Sequence, residues 1–93
     1  MANKFLVHAS EDFIGVATED IRKDETIEGT YLANNKKNTV KAIEDISLGH
    51  KIALKDIKKG EKIMEYKEWI GIATKDIKKG EHVHIHNIKT MRW

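Results

Sequence analysis

Three of the five histidines in this chain occur within five residues, at His82, His84 and His86, in the segment HVHIHN. On a β-strand, side chains alternate between the two faces, so these three rings share one face while Val83 and Ile85 pack on the other. Neutral imidazole is a metal ligand, and imidazole also transfers protons near neutral pH. The segment therefore predicts a strip of surface that can bind a metal ion or transfer protons.

Two imidazoles placed two residues apart on a strand have Cβ atoms about 6–7 Å apart. Both can lean onto one metal ion at about 2.1 Å, but a closed site needs a third ligand, and a catalytic site also keeps one position open. The alternative is a solvated or hydrogen-bonded histidine ladder on an edge strand. Of the three histidines, His82 lies nearest the preceding turn, and we expect it to be merely exposed.

A twelve-residue phrase recurs four times and must position these histidines. The copies are VATEDIRKDETI (16–27), KAIEDISLGHKI (41–52), IALKDIKKGEKI (52–63) and IATKDIKKGEHV (72–83). Each has Asp-Ile before a turn, in which glycine, or Asp24 in the first copy, supplies left-handed backbone. We expect the aspartate to bond the backbone just ahead of it and the isoleucine to enter the core. The phrase predicts a strand end, a tight turn and the next strand.

No stretch keeps apolar residues at helical spacing over three turns, so the prediction is a small all-β domain spanning residues 1–93. We expect strands at Phe5–Ala9, Gly15–Thr18, Thr26–Leu32, Asn38–Ile43, His50–Leu54, Lys62–Tyr66, Ile70–Thr74 and His82–Ile88. The segment NNKK (34–37) is predicted to form a hairpin tip. Gly29 and Gly71 fall inside strands, which indicates bulges or close backbone approach.

Composition excludes several classes of protein. The chain has no cysteine, so disulfides and thiolate zinc sites are absent. No apolar run approaches the roughly 20 residues of a membrane helix, and the N-terminus shows no secretory signal. The net charge is +2, from 17 basic and 15 acidic residues that are closely interspersed, which argues against a nucleic-acid binder. We expect a cytoplasmic protein.

His50 is a further candidate because the third and fourth copies of the repeat carry glutamate at its position. Its alternative is an exposed histidine at the start of a strand, and the environment of His8 is left undecided. Ser-His-Asp arrangements and phosphate-binding glycine loops are absent, and so short a chain lacks walls for a deep pocket. If this chain takes part in catalysis, we therefore expect it to complete an active site made with another chain.

These residues resemble the small SAF-type (β-clip) domain of the altronate/galactarate dehydratase family. The resemblance covers nearly the whole chain and is strongest in GHKIALKDIKKGE (49–61), IGIATKDIKKGEHVHIHN (70–87) and HNIKTMRW (86–93). That ending and the free-standing length also resemble the small subunit of (2R)-sulfolactate sulfo-lyase, a member of the same family. The family's usual KYG before IG reads Glu65-Tyr66-Lys67 here, a departure that bears on turn geometry and substrate selection.

The resemblance implies a lyase that removes water, or sulfite, from a hydroxy acid by β-elimination. It also implies a divalent metal, iron in the family, bound mainly by a large catalytic subunit. His50, His84 and His86 would transfer protons, and His84 and His86 would contact the metal. Lys51 would anchor the substrate carboxylate, and Asn87 would orient the substrate or a ring.

The function predicted first is the small subunit, or split N-terminal domain, of an altronate- or galactarate-type sugar-acid dehydratase, a hydro-lyase that is inactive as this chain alone. The same-class alternative is the sulfo-lyase small subunit. A non-catalytic module that binds carbohydrate or metal, and a structural dimer in which the histidine strip has no role, are alternatives from other classes. The sequence leaves open the substrate acid, the leaving group, the metal and any homo-oligomer.

Overall fold

The computed structural model describes residues 1–90, so the last three residues of the HNIKTMRW ending lie outside the described residues. Nine strands occur in the described part: β1 Asn3–Val7, β2 Ile14–Ala17, β3 Thr26–Tyr31, β4 Lys37–Lys41, β5 Lys51–Ala53, β6 Lys62–Glu65, β7 Glu68–Ala73, β8 His82–Val83 and β9 Ile88–Thr90. The prediction of an all-β fold made of short strands and tight turns is confirmed. Among residues 1–90, no helix has the length and apolar character needed to cross a membrane.

The strands form two sheets. The larger has the order β4-β3-β1-β2-β5-β8, in which β1 and β3 are parallel and the other pairs are antiparallel. The smaller is antiparallel with the order β6-β7-β9. One cluster of buried side chains includes Phe5, Ile27 and Ile52, and a second includes Ile63 and Val83. Strand β8 lies at an edge of the larger sheet, next to β5.

The four repeat copies fold as two pairs, and each pair is joined through its isoleucines. Ile21 and Ile46 exchange two backbone hydrogen bonds of 2.8 Å, and Ile57 and Ile77 exchange two of 2.7 Å. All four side chains are 2% exposed or less. The prediction that this isoleucine enters the core is confirmed, and its backbone joins one copy to another.

The repeat aspartates cap the turn of the partner copy. Asp20 Oδ1 accepts the Leu48 N–H at 2.9 Å, and Asp45 Oδ1 accepts the Lys23 N–H at 2.8 Å. The second pair repeats the exchange at 2.9 Å, from Lys79 to Asp56 and from Lys59 to Asp76. The expectation that each aspartate bonds the backbone just ahead of it is wrong, because the isoleucine bridges bring the partner's turn within reach.

The turns of the repeat have the left-handed backbone that the sequence predicts. Gly49, Gly60 and Gly80 have φ values of 85°, 88° and 89°, and Asp24 has φ 72°. Gly80 is further constrained, because a Cβ there would collide with the carbonyl oxygen of Lys41, whereas one at Gly60 would meet nothing within 4 Å. Only Gly80 therefore requires glycine both for its dihedral angle and for space.

Gly29 and Gly71 both lie at or next to irregularities of their strands, as predicted. The β1–β3 register shifts between Asn3 and Phe5, where Phe5 pairs with Gly29. The β6–β7 register shifts next to Ile63, which pairs with Gly71. A Cβ on Gly71 would lie 2.6 Å from the Lys89 carbonyl oxygen, so the backbone of β9 approaches it closely.

The single strand expected at His82–Ile88 is wrong. Strand β8 ends at Val83, and a turn occupies residues 84–87. Strand β9 follows the turn and belongs to the smaller sheet. The N–H groups of Asn87 and Ile88 both donate to the His84 carbonyl at 3.1 Å and close the turn. Ile85, expected to pack in the interior, is 84% exposed. The other seven expected strands occur, with bounds that differ by no more than two residues.

We predict that Gly80→Ala destabilises the fold more than Gly60→Ala does. Left-handed backbone costs an alanine about 1–2 kcal/mol at either position, and the collision with the Lys41 carbonyl adds about 1–3 kcal/mol at Gly80 alone. Urea unfolding of both variants measures the difference, and equal losses of unfolding free energy would contradict it.

Candidate active site

Four histidines from three segments meet at the edge of the larger sheet. His50 directly precedes β5, His82 lies on β8, and His84 and His86 lie in the turn that follows. His50 Nδ1 is 2.8 Å from His82 Nε2. The ring centroids of His50 and His84 are 4.6 Å apart, and those of His82 and His86 are 5.2 Å apart. The structure thus brings together the three predicted site histidines and places His82 among them.

His82 is half-buried, whereas His84 and His86 are exposed. Its backbone N–H donates to Glu44 Oε1 at 2.9 Å. Burial lowers the pKa of His82, the neighbouring His50 and His86 lower it further, and the Glu44 carboxylate opposes them. The neutral ring is therefore favoured, and the expectation that His82 is merely exposed is wrong.

The ligand atoms of this region form two separate groups. Ring nitrogens of His50, His82 and His84 all lie within 4.8 Å of one another, and an imidazole nitrogen of His86 lies within 4.8 Å of carboxylate oxygens of Glu44 and Glu81. Imidazole donors suit iron, zinc and similar transition metals. The joint contact of His84 and His86 with one metal ion stays a prediction. The two rings fall in different groups, because His84 lies with His50 and His82 whereas His86 lies with Glu44 and Glu81.

His50 is free to join the cluster because it replaces a glutamate of the repeat. In the other copies this glutamate closes its own turn, accepting a backbone N–H from the residue three positions earlier at 3.0 Å: Glu25 from Arg22, Glu61 from Lys58 and Glu81 from Lys78. Histidine at position 50 points its ring to His82 instead. The departure from the repeat thus supplies a member of the histidine cluster.

Asn87 holds the turn that carries His84 and His86. Its side chain is fully buried, and its Nδ2 donates to the His82 carbonyl at 2.8 Å and to Glu81 Oε2 at 3.2 Å. Its Oδ1 accepts the His84 N–H at 2.9 Å. These bonds fix the backbone on both sides of Val83. The predicted contact between Asn87 and the substrate stays a prediction.

A cleft of about 320 Å³ opens beside the histidine cluster. Three predicted site residues line it, namely His50, Lys51 and His84. Its remaining walls are mainly apolar, together with one carboxylate: Gly49, Glu65, Ile70, Val83, Ile85, Ile88 and Thr90. A small anionic ligand in this cleft would meet an ammonium group, two imidazoles and a carboxyl group within one opening.

Glu65 is the site residue that sequence reasoning missed. Burial raises the pKa of this carboxyl, and the Asp12 carboxylate raises it further, while Lys51 and His8 partly offset both. Asp12 is itself buried, and its Oδ1 has no hydrogen-bond partner within the described residues. A carboxyl group that retains its proton more readily is suited to general acid chemistry. The one sequence signal was the departure from KYG at this position.

His8 lies near Glu65. It stacks on Tyr66 with ring centroids 3.9 Å apart, and its electrostatic interaction with Glu65 lowers the pKa of that carboxyl. Tyr66 and Lys67 have φ values of 57° and 62°, the left-handed pair found in tight hairpin turns. The turn therefore forms without the glycine of the family motif, at a cost in backbone strain.

Comparison with known proteins gives consistent matches. The family model described as the altronate/galactarate dehydratase SAF domain matches residues 3–91. The chain is 33% identical to the (2R)-sulfolactate sulfo-lyase subunit alpha of Chromohalobacter salexigens over 94 residues, which cover all of both chains. It is 44% identical to the subunit of that name from Paracoccus pantotrophus over 61 residues, 66% of this chain and 91% of that one. It is 37% identical to the altronate dehydratase of Bacillus subtilis over 86 residues, which are 92% of this chain but 16% of that protein.

We predict that Asn87→Ala destabilises the fold by about 2–4 kcal/mol, because it leaves buried backbone groups unpaired. Asn34→Ala is the matched control, since the exposed Asn34 side chain accepts one bond, from the Lys36 N–H at 3.0 Å. The control should lose less than about 1 kcal/mol. Thermal and urea unfolding measure both variants, and a loss at Asn87 no larger than at Asn34 would contradict the role given to Asn87.

We predict that Glu65→Gln gains stability relative to the native chain as the pH rises. Folding raises the pKa of Glu65. Its contribution to the stability of the native chain is therefore fully present below the pKa of Glu65 in the unfolded state, about 4.3. This contribution is lost as the pH rises through the pKa of Glu65 in the folded state. Glutamine removes that loss. Urea unfolding across this window measures the effect, with the exposed Glu68→Gln in the same hairpin as control; parallel curves for Glu65→Gln and the native chain would refute it.

Proposed function

The chain belongs to the altronate/galactarate dehydratase SAF-domain family, and from this premise we propose that it is the small subunit, or split N-terminal domain, of a sugar-acid dehydratase. In this proposal the chain completes the active site of a separate large subunit and has no activity alone. The observation that carries the proposal is the open cleft in which His50, Lys51, Glu65 and His84 converge.

The surface around the cleft supports a partner chain. Ile85, between His84 and His86, is 84% exposed, and Leu48, two residues before His50, is 62% exposed. Apolar side chains beside the polar groups of a site are typical of the core of a protein interface. A large subunit that covers them would exclude water from the cleft and strengthen its electrostatics.

The relatives support the two-chain arrangement. The sulfo-lyase relatives carry a matching region as a separate chain named subunit alpha, and one of them is matched over its whole length. In the altronate dehydratase of Bacillus subtilis the matched region is 16% of one long chain. The same unit therefore occurs both as a free subunit and as part of a larger enzyme.

The proposed reaction is β-elimination from a hydroxy acid. A base removes the proton from the carbon next to the carboxylate, the hydroxyl leaves the following carbon as water, and the enol product rearranges to a 2-keto-3-deoxy acid. His50, His84 and His86 are proton-transfer or metal-contacting groups, and Glu65 donates to the leaving oxygen. The Lys51 ammonium anchors the substrate carboxylate.

The proposal includes a divalent metal, iron in the family resemblance, held mainly by the large subunit. When bound, it supplies positive charge that stabilises the enolate-like state. The imidazoles of His84 and His86 are exposed at the tip of the turn and are suitable donors toward such an ion. We propose a cytoplasmic location for the complex, consistent with a chain that has no cysteine.

The second candidate is the small subunit of (2R)-sulfolactate sulfo-lyase, in which sulfite replaces water as the leaving group. The match over all of both chains to a relative of that name favours it. The two candidates share the cleft and the type of elimination. In both, the proton leaves the carbon next to the carboxylate, and the leaving group departs from the following carbon. They differ in the demand on Glu65, because sulfite departs as a stable anion while hydroxide needs a proton.

We predict that replacing His84 and His86 together by alanine lowers the activity of the reconstituted two-chain enzyme at least about 100-fold, the size of one general acid–base contribution. The chain is co-expressed with the gene for its large subunit, and the complex is assayed on altronate, galactarate and sulfolactate. Lys36→Ala, an exposed change in the β3–β4 hairpin, is the control and should retain activity. Unchanged activity of the double variant in an intact complex would refute the proposal.

A further inference from the structure

The three histidines of the first ligand group, His50, His82 and His84, lie close enough to hold one metal ion. Metal–nitrogen bonds of about 2.1 Å place the ligand nitrogens of a tetrahedral or octahedral site about 3.0–3.4 Å apart. His50 Nδ1 and His82 Nε2 are 2.8 Å apart, and all three residues offer nitrogens within 4.8 Å of one another. The three rings are stacked at interplanar angles of 14° to 28°, so rotation of their side chains would bring the three nitrogens onto one ion.

The backbone beneath these rings is already fixed. His82 pairs with Ile52 across β5 and β8, and its N–H is bonded to the Glu44 carboxylate. The His84 N–H is bonded to the buried Asn87 side chain. Preorganised ligands lose little conformational entropy when an ion binds. The site is thus built by the fold and does not need a partner chain to bring its ligands together.

The contact between His50 and His82 also limits the hydrogen bonding of the pair. A nitrogen–nitrogen distance of 2.8 Å requires one ring to offer a lone pair to the N–H of the other. For both of these nitrogens to bind one ion, the donor ring must carry its hydrogen on its other nitrogen, as a neutral imidazole can.

The second ligand group is the weaker candidate because its carboxylates already serve the fold. Glu44 accepts the His82 N–H, and Glu81 accepts from the Lys78 N–H and the Asn87 amide. Their role is to hold the backbone that carries the imidazoles. The ion therefore belongs with the three histidines.

We infer that this chain, without its large subunit, binds one divalent first-row transition metal ion through His50, His82 and His84. Three imidazoles select zinc, iron, cobalt or nickel over magnesium and calcium. Three protein ligands would also leave a coordination position open, as in catalytic sites, and two of the three, His50 and His84, line the cleft. Binding is a property of the isolated chain, so it stands or fails separately from the proposed lyase function.

The test is titration of the purified chain with Zn²⁺ and Co²⁺, followed by calorimetry and by visible absorption of the Co²⁺ form. We expect one ion per chain, and an affinity at least about 100-fold weaker in His50→Ala and in His82→Gln. His8→Ala removes a histidine outside the cluster and should bind as the native chain does. Circular dichroism checks that each variant is folded, and His82→Gln retains hydrogen-bonding groups at the half-buried position.

His86→Ala separates the two ligand groups. It should leave the affinity within about threefold of the native value, because His86 lies with the carboxylates. Loss of binding in His86→Ala with retention in folded His82→Gln would overturn the assignment. So would the absence of binding to the native chain at millimolar metal, or binding that His50→Ala and His82→Gln leave unchanged.

Discussion

The reciprocal bonding between paired repeat copies is the constraint on which the rest of the structure depends. In each pair, buried isoleucines exchange backbone bonds and each aspartate caps a turn of the other copy. A single copy would leave the backbone groups of its buried isoleucine without their bridge partner, a cost that native proteins avoid. The copies are therefore stable only in pairs. In the second pair, bonds from Gly80 to Ala53 and from Ala53 to Glu81 set β8 beside β5, and this contact delivers His82 to His50.

The site arises where one copy departs from the repeat. A glutamate at position 50 would close its own turn, as its counterparts do, and histidine releases that position to the cleft. Natural proteins break their local rules chiefly at functional sites. The turn of 84–87 directly follows the fourth copy, where it ends an edge strand early and presents Ile85 between two exposed imidazoles. His50 and this turn both face the surface on which a partner chain is proposed.

Local signals predicted the parts of the fold that depend on local chemistry. The turn glycines, the buried isoleucines and seven strands follow from residue type and spacing. The crossing of the aspartates was not predicted, because it depends on which copies pair, and the crossed bonds join residues 17 to 28 positions apart. The strand through His82–Ile88 failed because the side chain of Asn87 bonds its own neighbours and closes a turn. Glu65 was missed because its environment is assembled from Asp12, Lys51 and His8, far apart in sequence.

The most direct measurement of the proposed shared active site is amide hydrogen–deuterium exchange of this chain, free and in complex with the proposed large subunit. We expect the complex to protect residues 84–87 and the turn around Leu48, since the subunit would cover the exposed apolar groups beside the imidazoles. The β3–β4 hairpin tip, with Asn34 and Lys36, should exchange equally in both states. Protection of that hairpin, with unchanged exchange at 84–87, would contradict a site shared through the histidine cluster.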